Sequence, residues 1–128
     1  MTQENKDLLL CDLCGRLPYG VICQMEDTLI DSPFYDRILT ERYIELFRHH
    51  KDFYIKPYLR PMSGMTEEEQ KEYHKTFRAE PYGSGIGWVY VESIHSFDWL
   101  NKHGFDYRGL IGKGLAIEVT EENNPYKD

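Results

Sequence analysis

The chain contains no long hydrophobic run. A membrane-spanning helix needs about 18–20 consecutive apolar residues, and no stretch of this sequence approaches that length. The first seven residues are polar and lack the charged-then-apolar pattern of an export signal, and Leu8-Leu9-Leu10 is too short to supply one. We therefore expect a cytoplasmic protein that makes no membrane contact.

Basic residues are outnumbered, with 15 Lys and Arg against 22 Asp and Glu and a net charge of −7. A negative surface repels phosphates and gains nothing from counterion release, so we expect no binding to duplex nucleic acid. A basic protein partner is easier to reconcile with this charge. Acidity also simply keeps a protein in solution.

Cysteine is scarce and odd in number, with three residues, which favours free thiols in a reducing compartment. Cys11 and Cys14 form a C-x-x-C pair, and Cys23 with a histidine would complete four zinc ligands. Both members of the pair fall inside a predicted amphipathic helix, and no second C-x-x-C follows. We interpret the three as structural thiols and predict no cofactor, with these residues as the metal candidates.

Catalytic motifs are also missing. The sequence has no G-x-S-x-G and no H-E-x-x-H. The glycines at 83–87 fail the dinucleotide fingerprint because Trp88 occupies the last glycine position, and the glycines at 109–114 lack the first glycine and the Ser/Thr of a phosphate loop. No catalytic residue is nominated.

Aromatic residues are abundant, at 14% with ten tyrosines. Aromatic rings beside arginines can stack on a nucleotide base and hold its phosphate, and the same residue types form protein-interface hot spots. In the alternative interpretation Trp88, Tyr90 and Trp99 fill the core, and the arginines form surface ion pairs. The candidate ligand- or partner-binding residues are Tyr54, Tyr58, Arg60, Trp88, Tyr107 and Arg108.

Helical patterns occur at three places. Apolar residues recur at helical spacing over 7–17. Thr66 and Glu69 have the spacing of a capping box, which predicts a helix from Glu67 to about Phe77. Ser96 is the expected N-cap of a short helix that runs to His103, and Asp106 is expected to cap one further turn.

Strand patterns lie between these helices. Extended structure is predicted at 21–23, 29–30, 53–55, 86–91 and 115–119, and a loop is predicted at 81–85. The segment at 41–48 fits a helix or a strand equally well. The prediction is a small single α+β domain over 1–120, with a mostly antiparallel sheet and about three short helices. Residues 121–128 are predicted to be a polar, disordered C-terminal tail.

Four segments carry a resemblance to known proteins. They are 8–21, 55–72, 98–103 and 105–116, with Ile55-Lys56-Pro57-Tyr58-Leu59-Arg60-Pro61 the most distinctive. The chain resembles a family of small proteins encoded in phages and mobile elements of gut anaerobic bacteria, a family to which no activity is assigned. The resemblance implies an accessory protein that modulates a host process or counters a host defence.

Three functions follow as hypotheses. The first is a non-enzymatic accessory protein that binds a host macromolecule, with a host protein as the expected partner. The second is a small-ligand binder that sequesters a nucleotide-type signal, and the third is an enzyme with an unrecognised site. The sequence leaves the oligomeric state and the choice of partner open.

Overall fold

The computed structural model describes residues 1–26, 34–50, 52–83 and 87–127. Within them the α-helices are α1 (Gln3–Arg16), α2 (Glu41–His49), α3 (Glu67–Lys75) and α4 (Ile94–Lys102). The strands are β1 (Ile22–Glu26), β2 (Phe34–Ile38), β3 (Ile55–Leu59), β4 (Arg78–Tyr82), β5 (Gly87–Val91) and β6 (Ile117–Glu118). The predicted α+β class is confirmed, with four α-helices in the described ranges where about three were expected.

The main sheet has four strands in the order β2-β1-β3-β6. β1 is antiparallel to both β2 and β3, and β6 is parallel to β3. β4 and β5 form a separate antiparallel hairpin between α3 and α4. Because two-stranded hairpins have little stability of their own, this hairpin depends on what holds its base.

Two apolar clusters form the core. In the larger, α1 and α2 cover the main sheet, with Leu9, Leu13, Phe47, Ile55 and Leu59 almost fully buried. In the smaller, Tyr73 of α3 and Leu100 of α4 pack around Phe105. The fold therefore consists of one sheet packed against α1 and α2 and of the helix pair α3 and α4, from which the hairpin extends.

The segment at 41–48 is helical. Ile44 and Phe47 lie three residues apart on one buried face of α2, which a strand could not place on the same side. Tyr43 is only half-buried beside that face. Burial of one face therefore decides in favour of a helix, where local propensity fits a helix and a strand equally well.

Some boundaries differ from the prediction. α1 starts at Gln3 because Thr2 caps it by accepting a hydrogen bond from the Asn5 amide, in a polar turn without apolar periodicity. Ser93, rather than Ser96, is the N-cap of α4. Pro81 lies in β4 opposite Trp88, where a loop was expected, and edge strands tolerate proline. The predicted strand at 29–30 lies outside the described residues.

In the described ranges no helix combines the length and the hydrophobicity needed to cross a membrane. The longest, α1, has 14 residues.

Candidate functional site

The β4–β5 hairpin presents bare aromatic surface. Trp88 is 70% exposed and Tyr90 is 71% exposed, and both lie on the same face of β5. On the opposite face Val89 is also exposed, at 39%. A strand that buries neither face gains little from its own hydrophobic side chains, so this strand is poorly explained by folding alone.

The base of the hairpin is clamped by hydroxyl groups. Ser93 Oγ donates to the Thr76 carbonyl at 2.7 Å, and Thr76 Oγ1 donates to Ser96 Oγ at 2.8 Å. Ser96 Oγ also accepts from the Ser93 amide at 2.9 Å. These bonds join the end of α3 to the start of α4, so the hairpin extends from a fixed point.

A second contact holds the hairpin near α3. The Tyr73 hydroxyl donates to the Glu92 carboxylate, and burial together with this carboxylate raises the pKa of Tyr73. His74, Phe77 and Tyr90 line a shallow groove of about 430 Å³ beside it. The exposed ring of Tyr90 therefore borders a groove that a partner side chain can enter.

The free edge of β5 adds to this surface. Among the described residues its sheet partner is β4 alone. The strand Gly87–Val91 carries no charge, and natural proteins usually protect such an edge with charged residues or proline. Ile94 and Phe97 at the start of α4 are exposed as well, so apolar surface continues beyond the strand in sequence.

We use the term hairpin surface for Trp88, Val89 and Tyr90. Of these, Trp88 is among the residues that the sequence predicts to bind a ligand or partner, and the alternative interpretation places Trp88 and Tyr90 in the core. That alternative is wrong for both aromatic residues, since both are exposed. The sequence carries no signal for this exposure, because an uninterrupted apolar run such as Trp88-Val89-Tyr90-Val91 is typical of a strand that is buried on both faces.

Tyr58 lies in β3 and Tyr54 directly precedes it, so both belong to the main sheet and not to the hairpin. The Tyr54 hydroxyl donates to Gln24 Oε1 at 2.9 Å, and the Tyr58 hydroxyl donates to Asp36 Oδ1 at 2.8 Å. Burial and the Asp36 carboxylate raise the pKa of Tyr58 to about 12. The Tyr54 hydroxyl is thus bonded to a residue of β1, and the Tyr58 hydroxyl to a residue of β2, which lies beyond β1 in the sheet order.

Arg60 is held by Glu69. Its two Nη atoms donate to the two carboxylate oxygens at 2.8 and 2.7 Å, and the guanidinium lies 4.2 Å from the centre of the Phe105 ring. The Arg60 hydrogen bonds, with those from Thr66, lower the pKa of Glu69 to about 2. Glu69 also accepts from the Thr66 amide at 3.0 Å, so the predicted capping box is present.

Tyr107 and Arg108 belong to a largely buried ionic cluster. Asp12 Oδ1 accepts from Arg108 Nη1 at 2.9 Å, and Asp12 Oδ2 accepts from Arg16 Nε at 2.8 Å. Both guanidinium groups lie over the Tyr107 ring, at 4.7 Å for Arg108 and 5.4 Å for Arg16. The six nominated residues therefore lie at several separate places rather than in one site.

The cysteines are also separated. Cys11 and Cys14 are exposed on α1, whereas Cys23 is buried in β1. Burial, with a smaller contribution from Asp12, raises the pKa of Cys23 to about 12, which disfavours the thiolate that a metal requires. In the described part of the chain no three His, Cys, Asp or Glu side chains group as metal ligands.

Comparison with protein-family models, with curated proteins and with solved structures finds no match to this chain. The resemblance to phage and mobile-element proteins therefore stays a prediction, and the hairpin surface is the candidate site on structural grounds.

Proposed function

We propose that this chain is a non-enzymatic accessory protein that acts by binding a host protein through the hairpin surface. The observation that carries the proposal is the exposure of Trp88 and Tyr90 on a hairpin fixed at its base. Trp and Tyr are enriched among residues that dominate binding energy. A rigid base lets such rings bind without a large loss of conformational entropy.

The charge of the chain favours a protein partner over a nucleic acid. At −7 the molecule repels a phosphate backbone, whereas the hairpin strand itself is uncharged. Arg78 and Glu80 on β4 form a 2.6 Å ion pair and so neutralise each other beside it. The surface thus suits an apolar groove, and the overall charge favours basic residues at the rim of that groove.

The resemblance stated above supplies a setting for this binding. A small accessory protein of a phage or mobile element would act on a host process or a host defence. The hairpin surface provides a contact of the kind that such a protein needs. The partner is expected to bury Trp88 most deeply, since it is the largest exposed ring.

Affinity capture from host lysate tests the proposal when it compares three baits. One is the natural chain, one carries Trp88→Ser with Tyr90→Ser, and one carries Ile38→Ser, which removes an apolar side chain that is 59% exposed on β2. We expect one host protein to be retained by the first and third baits and lost from the second. The Tm of the double variant should stay within about 3 °C of the natural chain, because exposed residues add little stability.

Equal retention of the same proteins by all three baits would contradict the proposal. So would loss of a partner from the Ile38→Ser bait together with retention by the hairpin variant. Either result would place the contact away from the hairpin surface.

A further inference from the structure

A second feature, independent of the hairpin, is a cavity of about 570 Å³ at the C-terminal end of α4. Its walls come from the turn after α1, from the end of α4 and from the C-terminal segment, with Tyr19, Asn101, Lys102, His103 and Tyr126 among the lining residues. Binding sites for small molecules typically enclose about 300–1,000 Å³. The cavity is therefore large enough for a nucleotide-sized ligand.

The charge of the cavity is opposite to that of the molecule. Lys102 and His103 line it together with Arg60, whose charge is already paired with Glu69, and none of its described lining residues is acidic. In a chain with seven more acidic than basic residues this separation of charge is unexpected for a random surface. Part of it follows from the helix dipole, which favours cations at the end of α4.

Several backbone carbonyl groups at this end of α4 already accept hydrogen bonds. The Gly104 carbonyl accepts from the Arg60 amide at 2.7 Å, and the Leu100 carbonyl accepts from the Phe105 amide at 3.0 Å. The Asn101 carbonyl accepts from the Gly104 amide at 3.3 Å. These bonds satisfy backbone acceptors at the negative end of the α4 dipole, so an anion in the cavity must be held by side-chain donors.

Those donors have no competing partners in the described ranges. Lys102 makes no ion pair there, and the Asn101 amide nitrogen donates no hydrogen bond. Glu69 takes both Nη atoms of Arg60, but the Nε atom has no such partner. A ligand oxygen in the cavity can accept from these groups without displacing a protein contact.

Two tyrosines also line the cavity. The Tyr19 ring is exposed, and the Tyr126 ring is held in place because its hydroxyl accepts from the Ile22 amide at 2.9 Å and donates to the Tyr58 carbonyl at 3.0 Å. Phenol rings provide stacking surfaces for planar heterocycles. A charged region beside aromatic rings is the arrangement that a phosphorylated ring compound requires.

We propose that this cavity binds a small phosphorylated ligand that carries an aromatic ring, of the size of a nucleoside monophosphate. Lys102 and His103 hold the phosphate with the free donors of Arg60 and Asn101, and Tyr19 stacks on the ring. The proposal is separate from partner binding by the hairpin surface. A chain that fails one test can still pass the other.

Isothermal titration of the full chain tests this with three probes: adenosine 5′-monophosphate, adenosine and inorganic phosphate. We expect the monophosphate to bind more tightly than either fragment. Lys102→Gln should weaken its binding about tenfold, the effect of losing one charge-assisted hydrogen bond. The matched control is Lys71→Gln on the exposed side of α3, which removes the same charge away from the cavity and should change affinity less than twofold.

Tyr19→Ala distinguishes ring binding from phosphate binding. It should weaken the binding of the monophosphate and leave the affinity for inorganic phosphate unchanged. Amide chemical shifts of Gly20 and Gly104 should move on titration, because both residues line the cavity. The proposal is overturned by absence of binding at millimolar monophosphate. It is also overturned by equal effects of Lys102→Gln and Lys71→Gln, or by tighter binding of adenosine than of its monophosphate.

Discussion

At the scale of single residues, Asp12 is a fully buried carboxylate between two guanidinium groups. Arg16 is equally buried, and its Nη2 donates to the Phe105 carbonyl at 2.7 Å. The pair therefore joins α1 to the segment that follows α4. Removing one partner of a buried ion pair leaves the other charge without compensation, which costs more than the pair itself contributes.

Asp12→Asn is expected to lower the free energy of unfolding by about 3 kcal/mol or more, because it leaves Arg16 charged and buried. Urea denaturation at neutral pH measures this. Asp7→Asn on the exposed side of the same helix is the control, with an expected change within about 0.5 kcal/mol. Equal effects of the two substitutions would mean that the cluster does not stabilise the fold.

Tyr126 fills a gap between two strands. Its hydroxyl accepts from Ile22 on β1 and donates to Tyr58 on β3, one position beyond the last direct pair, Cys23 with Pro57. Burial between the strands raises the pKa of this phenol to about 12. The hydroxyl thus continues the ladder where direct strand pairing ends.

Tyr126→Phe should cost about 1–3 kcal/mol in unfolding free energy, because it leaves a backbone donor and acceptor unpaired between the strands. Thermal or urea unfolding checks this against Tyr43→Phe, whose hydroxyl makes no hydrogen bond within the described ranges. A Tyr126→Phe chain as stable as that control would contradict the bridging role.

Sequence reasoning at this scale succeeded for local interactions and failed for distant ones. Thr66 and Glu69 are three residues apart, so their capping box is visible in the sequence. Asp12 and Arg108 are 96 residues apart, and no local pattern indicates that they meet. The alternative interpretation of Arg60 as an ion-pair partner is confirmed, but no local pattern indicates that Glu69 is that partner.

At the scale of elements, α3 is stabilised from its N-terminus. Glu69 joins its own helix cap to Arg60 just beyond β3, so one carboxylate connects two elements. Its pKa falls from an ordinary 4.5 to about 2. A folded-state pKa below the unfolded value gives stability that is complete above pH about 4.5 and is lost as pH falls toward 2.

The expected consequence is a pH-dependent difference between the natural chain and Glu69→Gln, which keeps a side chain able to cap. The variant should be less stable by about 2 kcal/mol at pH 6, after allowance for solvent screening of a partly exposed pair. The difference should vanish near pH 2. Urea denaturation across this range tests it, with Glu68→Gln as a control that changes stability by less than about 0.5 kcal/mol. A difference that stays constant with pH would contradict the assignment.

Element prediction stayed open at one segment and failed at another, in both cases because tertiary contacts rather than local propensity decide. The segment at 41–48 became a helix because Ile44 and Phe47 share a buried face. β4 was missed because Pro81 and Tyr82 read as a turn, whereas pairing with Trp88 and Gly87 extends them. Both outcomes depend on tertiary partners that a sequence window does not contain.

At the scale of the whole molecule, the α+β class was predictable because helical and extended patterns follow one another along the chain. The exposure of the hairpin was not predictable from the sequence, because the pattern of β5 suits a buried strand as well as an exposed one. The structure separates a main sheet whose strands β1 and β3 are largely buried from a hairpin in which no residue of β5 is buried. That difference is the reason for proposing the hairpin surface as the place where a partner binds.

Site-specific photo-crosslinking in host cells tests this assignment most directly. A photoreactive phenylalanine analogue replaces Trp88 in one chain and Ile38, exposed on the main sheet, in the other. Partner binding by the hairpin surface predicts that position 88 crosslinks to one host protein and that position 38 does not. A crosslink from position 38 alone, or none from position 88 in cells that make the folded chain, would contradict it.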